Sequence, residues 1–235
     1  YHRNLLNQAF IWLKRFRHRK GYGVQSPLVF HFIREVILQS TPYYEYEQLK
    51  KLYRKIQIQE QAWMLPRKRY ELLFRIANEI KPDEIIEIGT KVALGIIYSS
   101  AARKKAQCHI WNERPIQNET IHHLLNHSFI SYKQGDLEHL ILERLSTDTH
   151  KKRMIIYNCE LFPDSQNIRQ IELLIKKSQK NDCIILSGLQ RSKTIRTHWK
   201  KWITASPIGI SFDLYEAGIL FFKPYAQQKC YLINY

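Results

Sequence analysis

The sequence predicts an α/β fold: a mostly parallel, doubly wound sheet behind a helical N-terminal extension. Three observations carry this reading. Before residue 81 every periodic apolar segment has helical spacing, and after it short β-rich runs alternate with helical ones. Parallel neighbours need right-handed crossovers, and the intervening helical segments supply them. The chain then closes on two β-rich runs, Ile208–Tyr215 and Gly218–Lys223, which put an antiparallel strand into that sheet.

In the extension, Leu5, Leu6, Ala9, Trp12, Leu13 and Phe16 recur at helical spacing, and the segment ends in a basic run from Lys14 to Lys20 before Gly21. This helix either packs on the domain with its charges in water or offers a basic amphipathic face to an anionic partner. Ser26-Pro27 opens a second helix, because serine caps free N–H groups and proline tolerates the first helical position. Leu28, Val29, Phe32, Ile33, Val36 and Ile37 form its buried stripe. A third helix runs over Tyr46–Ile58 with Leu49, Leu52 and Ile56 facing inward. A fourth covers Arg69–Ile80 with Leu72, Leu73, Ile76 and Ile80 on one face, and Lys81-Pro82 ends it. Residues 1–80 are thus expected to be a helical extension packed on the core, and 81–235 the sheet domain.

The sheet domain starts with a strand, Glu84–Ile88, that runs into Gly89-Thr90 and a helix reaching Arg103. Strands follow at Cys108–Asn112, Ile130–Gln134, Met154–Cys159 and Cys183–Ser187. Helices are predicted near Glu119–Asn126, Leu137–Leu145, Ser165–Ser178 and Ile195–Ala205, the last with Ile195, Trp199 and Trp202 as a core stripe. Tyr231–Tyr235 adds an edge strand.

Composition narrows the function classes. A chain with 44% hydrophobic and 12% aromatic residues has enough apolar matter for a packed core. No apolar run is long enough for a membrane span. The start shows no signal-peptide pattern, although it begins with Tyr1 rather than Met, which leaves a removed targeting segment open. Cys108, Cys159, Cys183 and Cys230 lack CxxC spacing and read as small buried hydrophobes in a reducing, cytoplasmic setting. His122, His123 and His127 lack a nearby carboxylate or cysteine to complete a metal set and read as surface histidines. The net charge of +16 is dispersed, a field that attracts an acidic protein or a nucleic acid without specifying either.

In such a fold, ligands bind beyond the carboxyl ends of the strands. The first strand–turn reads Glu87-Ile88-Gly89-Thr90-Lys91-Val92-Ala93-Leu94-Gly95, where Gly89 lets backbone approach a ligand. A dinucleotide G-x-G-x-x-G is absent, which argues against a nicotinamide dehydrogenase.

Several separated segments, in order, resemble the class I S-adenosylmethionine-dependent methyltransferases, in particular a bacterial group common in Bacteroidetes. They are Gly21-Tyr22-Gly23-Val24-Gln25-Ser26-Pro27-Leu28-Val29-Phe30, Pro42-Tyr43-Tyr44, Leu73-Phe74, Glu87-Ile88-Gly89-Thr90, Gly135-Asp136 and the Asp213–Phe222 hairpin. The resemblance implies a Rossmann-like class I methyltransferase sheet with a closing antiparallel hairpin. It implies S-adenosylmethionine as cofactor, held by Glu87, Gly89 and Thr90 at the turn, Asn112 and Glu113 after the second strand, and Asp136 beside the adenine.

The departures from that pattern are as informative as the matches. Ala93 stands where the second motif glycine is expected, and Lys91 where the family has serine. Asn112 falls at the position of the ribose-binding acid, with Glu113 one residue late. Asn158, Ser187 and Gly188 replace the acids that hold a divalent metal in related O-methyltransferases, and Glu160 is only a partial substitute, so no catalytic metal is expected. The resemblance therefore implies a metal-independent methyltransferase-like protein with a degraded cofactor site. Its alternative is a non-catalytic binding or scaffold module for an acidic partner or nucleic acid. The catalytic residues and the methyl acceptor are not specified by the sequence.

Overall fold

A computed structural model of the protein describes residues 24, 26–59, 64–121, 130–145, 150–222 and 229–235. The amphipathic segment of residues 5–16, its basic end, the first marker glycines and the three histidines lie outside the described residues. So does most of the helix predicted near Glu119–Asn126.

The first described helix, α1, starts at Pro27, and Ser26 Oγ accepts the Val29 N–H at 3.5 Å. It continues over Phe32–Ile37 as a π-helix, in which the Leu38 N–H reaches back five residues to the Ile33 carbonyl. Val29, Phe32, Ile33, Val36 and Ile37 are buried as predicted, but Leu28 is 73% exposed. Leu28 lies in the first turn, on the rim of the contact rather than inside it. Helices α2 (Tyr46–Gln59) and α3 (Arg67–Ile80) follow. Arg75 of α3 is buried and spans this layer: its guanidinium donates to the Val36 and Ile37 carbonyls and to the Tyr235 hydroxyl.

The sheet comprises β1 (Glu84–Ile88), β2 (Gln107–Asn112), β3 (Ile130–Gln134), β4 (Arg153–Asn158), β5 (Cys183–Ser187), β6 (Ile210–Asp213), β7 (Ala217–Phe221) and β8 (Lys229–Leu232). Their spatial order is β3-β2-β1-β4-β5-β7-β6-β8. Only β7 runs against the rest, and β8 is the edge strand, parallel to β6 and starting two residues earlier than predicted. The order reverses at β1, which pairs with β2 on one side and β4 on the other.

Alternation along the strands builds two cores, one on each face. Ile85, Ile110, Ile156 and Ile185 face α1, α3 and α4 (Leu94–Ala102). Ile86, Trp111, Ile155, Tyr157 and Ile184 face α5 (Leu137–Leu145), α6 (Asp164–Lys177) and α7 (Lys193–Trp202). Ile195, Trp199 and Trp202 are buried in the second core, in line with the predicted stripe. Cys108, Cys159 and Cys183 are buried, whereas Cys230 on the edge strand is exposed. Cys159 follows β4 rather than ending it, opening a 3-10 turn over Cys159–Leu161. A fully buried bidentate pair, Arg153 to Asp182 at 2.8 and 2.9 Å, ties the start of β4 to the start of β5. Among the described residues no helix is long and apolar enough to cross a membrane.

Candidate functional site

The strand-order reversal leaves a crevice beyond the carboxyl ends of β1, β2 and β4. A cleft of about 600 Å³ occupies it, walled by Gly89, Thr90 and Lys91 from the β1 turn, Asn112–Gln117 from the β2 exit, and Leu161, Phe162, Pro163 and Gln166 from the β4 side. A second hollow of about 330 Å³ adjoins it, lined by Gly135, Asp136, Glu138, Arg169 and Gln170. Glu113 and Gln166 line both, so they mark the junction. Each volume lies in the range of small-molecule sites.

The sequence-predicted residues fall into two sets. Glu113 and Asp136 face the hollows. Glu113 Oε1 accepts the Gln166 side-chain amide and, at 3.4 Å, that of Gln170. Asp136 caps α5, with Oδ1 accepting the His139 N–H at 3.1 Å. Gly89 and Thr90 lie on the cleft wall, but their polar groups are largely engaged in the turn. The Thr90 N–H donates to Asn112 Oδ1 at 2.9 Å, and Asn112 Nδ2 returns a bond to the Thr90 carbonyl at 2.8 Å. This reciprocal pair staples the β1 turn to β2, and Asn112, which also lines the cleft, spends one carbonyl lone pair and one amide hydrogen on it. The Thr90 hydroxyl accepts the Val92 and Ala93 N–H groups.

Glu87 is not on the cleft wall. Strand alternation turns it to the α4 face, like Ile85, where its carboxylate accepts the Ile96 N–H at 2.8 Å. Burial pushes its pKa up to about 7, against the lowering by hydrogen bonds from Ile96, Thr90 and Gly95. Glu87 thus anchors the positive end of α4. Gly95 leaves room for it: a Cβ there would lie 2.6 Å from Glu87 Oε1, so the carboxylate would have to shift.

Two features of the turn bear on the departures noted in the sequence. Ala93 has φ +49°, so the position where a glycine is expected does adopt the left-handed conformation that favours one. Gly89, at φ +72°, is covered by an aromatic ring: a Cβ there would lie 2.5 Å from Phe162 Cε2. Phe162 therefore closes over the bare backbone of the β1 turn. Sequence reading missed this residue.

At the ends of β4 and β5 the donor set does not fit a hard divalent cation. Asn158 Oδ1 accepts the Glu160 N–H at 3.1 Å, which caps the 3-10 turn. Ser187 and Gly188 bring no carboxylate. A cavity of about 80 Å³ there is lined instead by Leu65, Arg69, Glu160, Ser187, Gly188 and Glu216. The largely buried Arg69 guanidinium lies 3.3 Å from Glu216 and 5.3 Å from the Tyr235 ring, so a fixed organic cation stands at these strand ends. A further hollow of about 270 Å³ at the opposite end of the sheet is walled largely by apolar side chains such as Val29, Phe32, Phe212 and Phe221.

Other residues that the sequence reading missed sit on α6. The buried stripe Ile171, Leu174 and Ile175 extends backward onto Asn167 and Gln170, both essentially inaccessible. Polar residues in core-facing positions of an amphipathic helix were the available signal.

No family model matches the chain, and no curated protein matches it. Solved structures do. A methyltransferase from Geobacter sulfurreducens is similar with a TM-score of 0.57 at 11% identity, over 87% of this chain and 99% of that one. An O-methyltransferase from Bacillus cereus, solved in complex with S-adenosylhomocysteine, gives 0.57 at 13% identity, over 82% and 96% of the two chains. TomG, an O-methyltransferase from Streptomyces achromogenes involved in tomaymycin synthesis and solved with S-adenosylmethionine, gives 0.57 at 10%, over 82% and 95%. At such identities the likeness is one of fold. The protein therefore has the Rossmann-like fold of these methyltransferases.

Proposed function

We propose that the cleft beyond β1, β2 and β4 binds an adenosyl cofactor of the S-adenosylmethionine type, and that the protein is a methyltransferase-like protein that uses no metal. The observation that carries this reading is Glu113, a carboxylate held by two glutamine amides at the junction of two hollows at the strand-order switch point. A carboxylate so placed accepts the two hydroxyls of a ribose through charge-assisted hydrogen bonds. Asp136 and the adjoining hollow suit the base, and the exposed Lys91 ammonium suits a carboxylate at the other end of the ligand. The ligands bound to the Bacillus and Streptomyces proteins support the assignment by analogy of fold. S-adenosylmethionine supplies an electrophilic methyl group for in-line attack, a reaction that runs on proximity and alignment.

The second reading is a non-catalytic module, and Phe162 favours it. Its ring lies against Gly89, where the reacting end of a cofactor has to pass the turn. In that case the dispersed positive charge serves an acidic protein or nucleic-acid partner in the cytoplasm.

A thermal-shift titration with S-adenosylhomocysteine tests the first reading, because a ligand that binds only the folded state raises the melting temperature. A shift in the native protein that disappears in Glu113→Ala supports it. No shift at millimolar ligand refutes it. Binding without methyl transfer from labelled cofactor to any lysate component leaves the second reading standing.

A further inference from the structure

Among the described strands all but β7 run the same way, so their amino ends gather at the end of the sheet opposite the cleft. Basic residues that read as dispersed along the sequence converge there. Lys81 precedes β1, Lys104 and Lys105 precede β2, Lys152 precedes β4, Lys180 precedes β5 and Lys229 opens β8, and all six are exposed. Backbone bonds tie the starts of β1, β2 and β4 together: the Asp83 N–H donates to the Lys152 carbonyl at 2.8 Å, and the Gln107 N–H to the Asp83 carbonyl at 2.9 Å. The neighbouring acids are matched locally. Asp182 is paired with Arg153 in the core, Glu84 lies 3.0 Å from His109, Glu79 lies 3.3 Å from His31, and Asp83 Oδ2 accepts the Lys152 N–H. Helix dipoles favour cations where helices end, so charge alone names no partner.

The second observation is apolar. The hollow of about 270 Å³ lies at this same end, lined by Lys152 and Asn181 as well as by Leu28, Val29, Phe32 and Phe212. Leu28 lines it while remaining 73% exposed, and a leucine so placed gains from an apolar partner. The chain enters α1 at this hollow, and the sequence before it carries the apolar repeat of residues 5–16 and the basic run that ends at Lys20. We propose that this face docks on the surface of an anionic phospholipid bilayer, with its lysines on the headgroups and Leu28 in the interfacial layer. A nucleic acid would engage the lysines and leave Leu28 and the apolar walls in water. A bilayer engages both, because its interface joins anionic headgroups to acyl chains. Docking by this end turns the cleft, at the carboxyl ends of the strands, away from the lipid. Nothing in it depends on the ligand of the cleft.

The test is co-sedimentation of the full chain with vesicles of phosphatidylcholine alone, and of phosphatidylcholine and phosphatidylglycerol in equal parts. The native protein is expected to pellet with the anionic vesicles only, and less as salt rises. Each cation near an anionic surface is worth roughly fivefold in affinity, so Lys104→Gln, Lys105→Gln and Lys180→Gln together should weaken binding roughly a hundredfold. Arg54→Gln, Lys55→Gln and Lys193→Gln remove the same charge nearer the cleft end, from α2, whose Gln59 accepts from Asn118 and Thr120 after β2, and from the start of α7. Screening should hold their combined effect below about fivefold. Leu28→Ser should weaken binding roughly tenfold. All the substituted side chains are exposed, and unchanged circular dichroism spectra would verify that the variants fold. Equal losses in the two triple variants overturn the inference, because binding then follows net charge rather than this face. Undiminished binding in Leu28→Ser overturns it too, as the behaviour of a face that needs only a polyanion. So does a native protein that stays in the supernatant with anionic vesicles.

Discussion

The pH dependence of stability offers a direct test of how the β1 turn is built. Glu87 is fully enclosed, and burial lifts its pKa from 4.5 to about 7 despite three hydrogen bonds that favour the charged form. Below pH 4.5 the carboxyl is protonated in both the folded and unfolded states, and Glu87 contributes no pH-dependent term. Between 4.5 and about 7 the folded state holds a proton that the unfolded state has lost, so stability falls as pH rises. Above about 7 both states are ionised and the penalty is constant. The gap of about 2.5 pH units corresponds to about 3 kcal/mol. The experiment is urea unfolding of the native protein and of Glu87→Gln across about pH 4 to 8, followed by circular dichroism. Other titrating groups are common to both proteins and cancel in the difference. The native protein is expected to lose about 3 kcal/mol relative to the variant across this window. Parallel curves, or a native protein that gains stability with rising pH, would refute the reasoning. The first result would mean that the donors of the α4 terminus balance desolvation, the second that they outweigh it.

Two other outcomes follow from packing. Gly89→Ala combines a left-handed backbone with a 2.5 Å approach to Phe162, and is expected to cost roughly 2–4 kcal/mol in chemical denaturation. The same change in a Phe162→Ala background should cost about 1–2 kcal/mol, the backbone part alone, and an undiminished cost would show that the ring is not in the way. Arg153→Met strands the fully buried Asp182 carboxylate, with an expected loss of about 3–5 kcal/mol. Changing Asp182 to Leu as well should recover much of that loss. Failure to recover would assign the loss to packing around the substituted side chain rather than to the stranded charge.

The strands and their order of use were legible because each has an unambiguous pattern. Ile130–Gln134 and Cys183–Ser187 are observed with the expected bounds, and the hairpin reverses one strand as expected. Leu28 misled because helical periodicity says which side of a helix is apolar, not where the contact stops. The site was harder to read. Glu113, Asp136 and Asn112 line the hollows, but Glu87 is turned to the α4 face, and Asn112 shares its amide with the Thr90 backbone. A residue letter reports donor and acceptor capacity, and only the fold reports who has already claimed it. Phe162 was unreadable for a related reason: its role depends on Gly89, which is 73 positions away and on a different strand end. Arg69 belongs to a helix that the sequence assigns to the extension, yet it completes the β5 end of the site.

The two flanks of the sheet, β3 and β8, have consequences for how copies of the protein behave in a crowded solution. A strand with one open side is a template on which another chain can extend the sheet. Here the flanking strands are only five and four residues long, and they carry Lys133 and Lys229. A second copy arriving flank-on would bring like charges together across a register too short to repay their desolvation. With a net charge of +16 repelling the copies at longer range, these two strands should resist edge-to-edge aggregation.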